Sequence, residues 1–452
     1  MLLLFASAVE AQVGVVFNRT GSGARAAGMA NAFIGISDDG TAASWNPAGL
    51  GQLRKPEISI VTTISHQFYG SDGFRARDGL ATFTPLHSGY SRAFLDFGSL
   101  AVPMRIAGKP VTLQAAWRRL YTLDFRENGS VLRTPLTPQG PAAMLFESNA
   151  DLSGGISLVS IAGAVKLTPR LAFGGSLNLW RGEWTEASAN SETILDPPAI
   201  PRFVSFNQRT TFRGRSLSLG LLLTYPRWSV GLLRQGAARG DFSAIGTSRA
   251  SFEPAPVPDP FEGQAELPQG VGAGVAWRPV PRWTVALDLM WDQWSRSFLL
   301  PKEGPRVDLF NSLPAGLSAT RDTLSANAGA ECLFHGEGFV VPVRFGVAWE
   351  PQGPRNPYTR DPVNFVMLAA GTGYNTNSLK FDAAFQYRWS HFFQGADFSI
   401  DRSDLLLPRA VGERTVREWR VKVSVIVRVT DTEKLGRTLR KIFGGGESDS
   451  GS

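Results

Sequence analysis

The sequence predicts an all-β protein, a transmembrane antiparallel barrel of about fourteen strands with an N-terminal hatch that plugs it. Three observations lead there. Hydropathy alternates with a period of two along most of the chain, short turns alternate with long connections, and residues 12–56 break the alternation.

Composition sets the limits first. With 43% hydrophobic and 11% aromatic residues, the chain is too apolar to be disordered. Mean hydropathy is −0.07 and no uninterrupted apolar run reaches about 18 residues, so no membrane-spanning helix is expected. A barrel shows only alternate residues to lipid, so its mean hydropathy looks like that of a soluble protein. The +7 charge is spread over strands and turns, and only 434–441 is locally basic, which argues against nucleic-acid binding. Cys332, the single cysteine, cannot form an internal disulfide. His66, His87, His335 and His391 are scattered without metal-ligand spacing, and no G-x-S-x-G elbow occurs. No catalytic residue, metal or cofactor is therefore expected.

Residues 1–11 read as the remnant of a signal peptide, an apolar stretch ending in Ala8 and Ala11 in an A-x-x-A arrangement. An apolar first strand is the alternative. Residues 12–56 form the expected hatch. Its Gly-rich start is no phosphate loop, because Ala26 stands where G-x-G-x-x-G needs glycine and no Lys-Ser/Thr pair follows. Small residues suit close packing in a confined space.

The barrel is expected over 57–430. Strands are placed near 57–66, 91–104, 110–126, 153–166, 170–187, 207–224 and 227–238, then 270–277, 282–294, 323–334, 339–349, 363–372, 377–392 and 418–429. Trp419, Val421, Val423, Val425, Val427 and Val429 share one face of the last, opposite Arg420, Lys422, Ser424 and Arg428. A soluble sandwich also alternates. However, full charges on the polar face suit a wet lumen, and Trp283 and Trp291 lie eight residues apart on one side. That is about 26 Å of strand, or roughly 20 Å of height at a tilt of about 40°, near the spacing of two aromatic girdles. Short turns at 167–170, 225–228 and 278–282 alternate with Pro/Gly-rich stretches at 127–150, 188–202, 240–267 and 297–320, read as loops. This is the rhythm of periplasmic turns and outer loops in a bacterial outer membrane.

Gly23-Ala-Arg-Ala-Ala-Gly-Met29, Asp38-Asp39 and Trp45-Asn46-Pro47-Ala48-Gly49, with Leu267-Pro268, Asp288 and Trp294-Ser295 further on, carry a resemblance to the FadL/TodX-type transporters of long-chain fatty acids and aromatic hydrocarbons. The resemblance implies a fourteen-stranded barrel with an N-terminal hatch, in which Asn46, Pro47, Ala48 and Gly49 form the hatch motif. It implies uptake of a hydrophobic small molecule from outside, an apolar pocket, and sideways release into outer-membrane lipid past a kink in an early strand. The N-terminal signature is shared with the PorV-like branch, scaffolds or shuttles for secreted proteins, and that alternative stays open.

Position nominates further residues. Val13, Val15, Val16 and Phe17 are placed to fill the pocket from below. Gly98, Pro103 and Gly108 are kink candidates, with an ordinary turn as the alternative for the last two. Met144, Leu145 and Phe146, together with Phe298, Leu299, Leu300, Leu309, Phe310 and Leu313, are apolar within presumed loops, so they form either an outer capture surface or loop packing. Acidic Asp288 and Asp292 read as lumen charges balanced by arginine. Residues 431–452 form a basic tail, amphipathic helix or disordered extension. The last strand ends Val427-Arg428-Val429, without the terminal aromatic that barrel-assembly machinery, an expected partner, commonly reads.

Overall fold

The computed structural model describes residues 21–76, 81–83, 86–133, 136–137, 140–141, 143–196, 202–251, 259–309, 320–355, 362–396 and 410–429. The expected signal segment 1–11, residues 12–20 and the tail 431–452 lie outside them.

Fourteen antiparallel strands close into a barrel. They are β1 Glu57–Ala76, β2 Leu86–Ile106, β3 Lys109–Thr122 resuming as Phe125–Arg133, β4 Ala143–Lys166, β5 Leu171–Asp196 and β6 Arg202–Thr224. Next come β7 Trp228–Gln235 resuming as Ala238–Ala250, β8 Asp259–Leu267 resuming as Gly270–Trp277, and β9 Trp283–Asp292 resuming as Phe298–Pro301. The wall is completed by β10 Thr323–His335, β11 Val340–Arg355, β12 Pro362–Asn375, β13 Leu379–Ala396 and β14 Ala410–Arg428. The ring shuts where Glu57 of β1 pairs with Arg428 of β14. Closure leaves no sheet edge along the seam and satisfies the backbone without water, as a bilayer requires.

The outside is apolar where a soluble protein would be polar. Ile58, Ile60, Ile64 and Phe68 of β1 point outward and are exposed, while Ser59, Thr63, Ser65 and Gln67 between them are buried inward. Leu217, Leu219 and Leu221 on β6 and Val285, Leu287 and Leu289 on β9 repeat the pattern. Only a lipid solvent stabilises this arrangement, which excludes the sandwich. Trp228 and Trp277 pair at the short-turn end, where Trp283 is also exposed.

One expectation needs correction. The stretches read as long loops are largely continued strands. β3 and β4 pair out to Arg133↔Met144, β5 runs to Asp196, and β7 and β8 pair out to Gly246↔Asp259. Beyond the membrane no face needs to be apolar, so the period-two signal fades although backbone pairing does not. Met144, Leu145 and Phe146 therefore sit in β4, and Phe298, Leu299 and Leu300 in β9, all within ladders rather than loops.

Residues 21–53 lie inside the barrel and carry little regular structure: a short helix α1 Ala24–Gly28 and 3₁₀ turns Ala42–Ser44 and Pro47–Gln52. Ala30, Asn31 and Ser37 take positive φ, which folds the segment back on itself. Nearly every residue in it is buried.

Candidate functional site

The interior segment is held by polar side chains from around the wall. Asp288 on β9 accepts the backbone N–H groups of both Phe33 and Ile34 at 2.6 Å. Asn327 on β10 donates to Ala30 O at 2.7 Å, Gln386 on β13 to Ala27 O at 3.0 Å, and Ser229 on β7 to Gly35 O at 2.7 Å. On the opposite wall Ser99 and Gln114 both donate to Gly40 O, and Arg118 donates to Ser44 O. A segment with so little regular structure has unpaired backbone groups, and buried ones must find partners. The wall's inward amides, hydroxyls and carboxyl groups supply them.

Asn46 carries the most specific contact. Its Nδ2 donates to Leu221 O of β6 at 3.0 Å, and its Oδ1 accepts Ala48 N–H at 3.1 Å, capping the 3₁₀ turn that Pro47 starts. The wall facing this corner is glycine. A methyl group at Gly220 would collide with the Asn46 side chain, at Gly174 with the backbone of Pro47 and Ala48, and at Gly231 with Ile34 O. Gly174 and Gly220 are cross-strand partners, so together they form a recess one side chain deep. Gly49 packs directly on Ser37, leaving no room there for a side chain.

Ion pairs surround this segment. Arg25 bridges Asp38 and Glu331, and Glu331 also binds Arg344 at 2.6 Å, which reaches Asp382 at 2.8 Å. Desolvation alone would raise the Asp38 pKa, but Arg25, with Lys380 and Arg278, outweighs it and holds the carboxyl below its ordinary value. A second cluster lies further out. Glu418 is bound by Arg388, by Arg420 at 2.7 Å and by Arg92 at 3.4 Å, and Lys422 meets Asp96 at 3.1 Å. Glu331, Arg344, Asp382, Arg388 and Glu418 are buried yet paired, the condition for keeping them, while Asp38 and Arg420 are half-buried.

Toward the outer end the lumen turns aromatic. Tyr121, Leu123, Ile156, Leu158, Trp180, Phe212 and Phe242 pack together on one side. Tyr69, Phe125, Val363, Phe365 and Phe392 pack on the other, and Leu152 joins the two. The lumen is thus not uniformly polar: apolar clusters interrupt the inward polar residues, which reappear further out at Glu186, Gln208 and Thr210.

The wall is interrupted beside this layer. The β2–β3 ladder runs from Ile106↔Lys109 to Phe97↔Arg118 and ends there. Asp96 is a bulge against β1, Leu120 a bulge against β4, and β3 breaks at Leu123 and Asp124 opposite Gly154, whose φ is +118°. Among the described residues, no ladder pair joins residues 86–96 to β3. Arg92 Nη1 reaches across to Asp124 O at 3.0 Å, and a short strand Ala81–Phe83 bridges β1 and β3 further out. A cavity of about 60 Å³ opens here, lined by Phe94, Leu120, Thr122 and Gly21 and by charged side chains of the second cluster, Arg92, Asp96, Arg388, Arg420 and Lys422. Leu120 also packs on the aromatic layer. On the lipid side, Ala93 and Leu95 adjoin Ile64 and Thr62 of the outer band.

Gly98 and Pro103 lie within the paired part of β2, opposite Trp117 and Thr112, and Gly108 forms the Ala107–Gly108 turn at positive φ. The interruption lies just beyond Gly98. Leu299 points inward and packs on the aromatic layer with Leu309, whereas Leu300 points outward and is 39% exposed. The side chains of Met144 and Phe146, and residues Val13, Val15, Val16, Phe17, Phe310 and Leu313, lie outside the described residues.

Sequence reasoning missed the aromatic layer and the interruption. Phe212 shares its side of β6 with Ser216 and Ser218, so alternation assigns it to the polar face, which was the available signal. Arg118 and Tyr121 both point inward three residues apart, a slip in parity that marks the Leu120 bulge.

No family model matches the chain, and no curated protein matches it in sequence. Solved structures do. A Pseudomonas aeruginosa FadL homologue superposes with a TM-score of 0.65 at 14% identity, covering 92% of this chain and 99% of that one. The Pseudomonas putida toluene transporter TodX gives 0.57 at 12%, covering 92% and 100%. The Ralstonia pickettii toluene transporter TbuX gives 0.52 at 14%, covering 91% and 100%. The chain therefore has the FadL/TodX-type fold. With its lipid-facing exterior, it is a bacterial outer-membrane barrel.

Proposed function

We propose that this barrel carries small hydrophobic molecules inward from the cell surface, holds them in the aromatic layer, and releases them sideways between β2 and β3. The observation that carries the reading is the end of the β2–β3 ladder at Phe97↔Arg118, beside Leu120, which belongs to both the aromatic layer and the cavity. A greasy molecule gains nothing by passing the ion pairs and hydrogen-bonded backbone below, because every polar group it displaced would lose a partner. A side exit beside Leu120 spares the hydrogen-bonded interior segment, although Arg92, Asp96 and Lys422 border it. Residues 21–53 then act as a hatch that stays in place, with Asn46, Pro47, Ala48 and Gly49 as its anchor. Gly21 lines the exit cavity, so Val13, Val15, Val16 and Phe17, close upstream, are suited to occupy the pocket until ligand displaces them. The similarity in fold to toluene transporters and a FadL homologue supports the class of cargo.

The test is uptake of oleate and of toluene by cells that depend on this chain, with Thr122→Trp to fill the cavity. Uptake of one probe should fall at least tenfold while the barrel still folds and inserts. Normal uptake by a correctly folded Thr122→Trp protein would overturn the lateral exit. Recovery of the chain with a secreted protein, and no uptake of either probe, would overturn the cargo.

A further inference from the structure

The outer surface carries a feature that transport through the lumen does not use. On β5 the outward residues Leu177 and Leu179 face lipid, and the next outward residue is Arg181. On β6, Leu219 and Leu217 give way to Arg215 and then Arg213. The register sets Arg181 directly opposite Arg213, and Arg215 directly opposite Arg239 of β7. Like charges facing each other across a ladder repel, and two such pairs adjoin here, although Asp241 of β7 stands opposite Arg213 on its other side. Arg239 is relieved by Glu266 at 2.7 Å. Among the described residues, no carboxylate lies within 4 Å of the guanidinium groups of Arg181, Arg213 or Arg215. With Arg239, Asp241 and Glu266 they line an external concavity of about 570 Å³, in which four arginines face two carboxylates.

We propose that this concavity binds the phosphate groups of a phosphorylated glycolipid of the outer leaflet. Position selects a lipid, because the arginines begin where the acyl-facing leucines stop, at the height of a headgroup. Chemistry selects phosphate, because guanidinium pairs bind it through parallel hydrogen bonds and a bound dianion removes the arginine repulsion. The same face continues outward. Six residues beyond Arg181, about 20 Å along the strand, a second external concavity of about 780 Å³ is lined by Asn128, Asn149, Asn207 and Thr247 around Ala187 and Ala189. Amides and hydroxyls above a phosphate site match a sugar headgroup above its phosphates. The inference uses the membrane placement of the barrel and is independent of what the lumen carries.

The probe is lipid A, a bisphosphorylated glucosamine lipid, compared with its enzymatically dephosphorylated form, on the full-length protein in detergent followed by native mass spectrometry. The wild-type protein should retain the phosphorylated lipid at least tenfold better than the dephosphorylated one. The variant Arg181→Gln/Arg213→Gln/Arg215→Gln should lose that preference, and lysine at the three positions should restore part of it. Heat-dependent gel mobility checks that each variant is a folded barrel, and the wild-type comparison stands even if a variant fails. Equal retention of both lipids would overturn the proposal. So would full displacement of lipid A by millimolar inorganic phosphate, which would mark a site for free anions.

Discussion

Replacing Asp288 by alanine tests how the interior segment is held. One carboxyl oxygen accepts two backbone N–H groups, from Phe33 and Ile34, at 2.6 Å each. Both amides are buried between segment and wall, and alanine offers them no acceptor. Leaving a buried donor unsatisfied costs about 1–3 kcal/mol, so two cost about 2–6 kcal/mol. That energy falls on the segment rather than the barrel, whose ladders are untouched. Local opening of residues 27–40 should therefore rise by roughly 30-fold to more than 10⁴-fold. Hydrogen exchange read by mass spectrometry on peptides covering 27–40 measures this directly, and single-channel conductance in planar bilayers reads the leak. Leu289→Ala, on the lipid side of the same strand, is the control and should change neither. Unchanged exchange in the Asp288→Ala protein would refute the reasoning, since the two hydrogen bonds would then contribute nothing.

Other consequences follow from the same geometry. Gly220→Val drives a side chain into Asn46, so the protein should either fold poorly or conduct ions as a leaky barrel, readable by conductance. Leu219→Arg places a charge on the lipid face and should cost about 2–4 kcal/mol near the midplane, less toward the interface, measured by urea unfolding in lipid. Asp38 has a folded pKa below its ordinary value, so its contribution is fully present above that ordinary value and is lost as pH falls through the folded one. Protection of peptides around Asp38, taken relative to the intrinsic exchange rate at each pH, should thus fall in acid, and Asp38→Asn should remove that part of the pH dependence. Phe365→Ser, in the aromatic layer, should weaken retention of oleate at least several-fold while heat-dependent gel mobility stays normal.

The alternation within the bilayer made the fourteen strands legible, because lipid demands an apolar outside at every second position. Beyond the membrane that demand ends. The paired run of β5 to Asp196 and the β7–β8 hairpin therefore read as loops although they continue as strands. The oddness of the segment around Trp45-Asn46-Pro47-Ala48-Gly49 was visible, but its anchoring was not. Asp288 looked like any inward carboxylate, and nothing in its neighbours says that its partners are the amides of Phe33 and Ile34, 255 and 254 residues away. The glycines facing Asn46 were equally silent, since a wall glycine matters only once the group it admits is known. Gly98, Pro103 and Gly108 are kink candidates for their weak pairing, yet Gly98 and Pro103 sit in an intact ladder. The wall parts where Asp96 and Leu120 bulge, because each extra residue breaks the register that hydrogen bonding needs.

The central claim is a route: in from outside, across the aromatic layer, out between β2 and β3. Photocrosslinking of a diazirine-bearing fatty acid to the protein in its native membrane, with labelled residues located by peptide mass spectrometry, follows it most directly. The account predicts label on the lumen peptides that carry Phe125, Phe365 and Phe392, and on the peptides 91–96 and 119–123 at the edges of the opening. Label confined to lipid-facing residues such as Leu217 and Leu287 would contradict it.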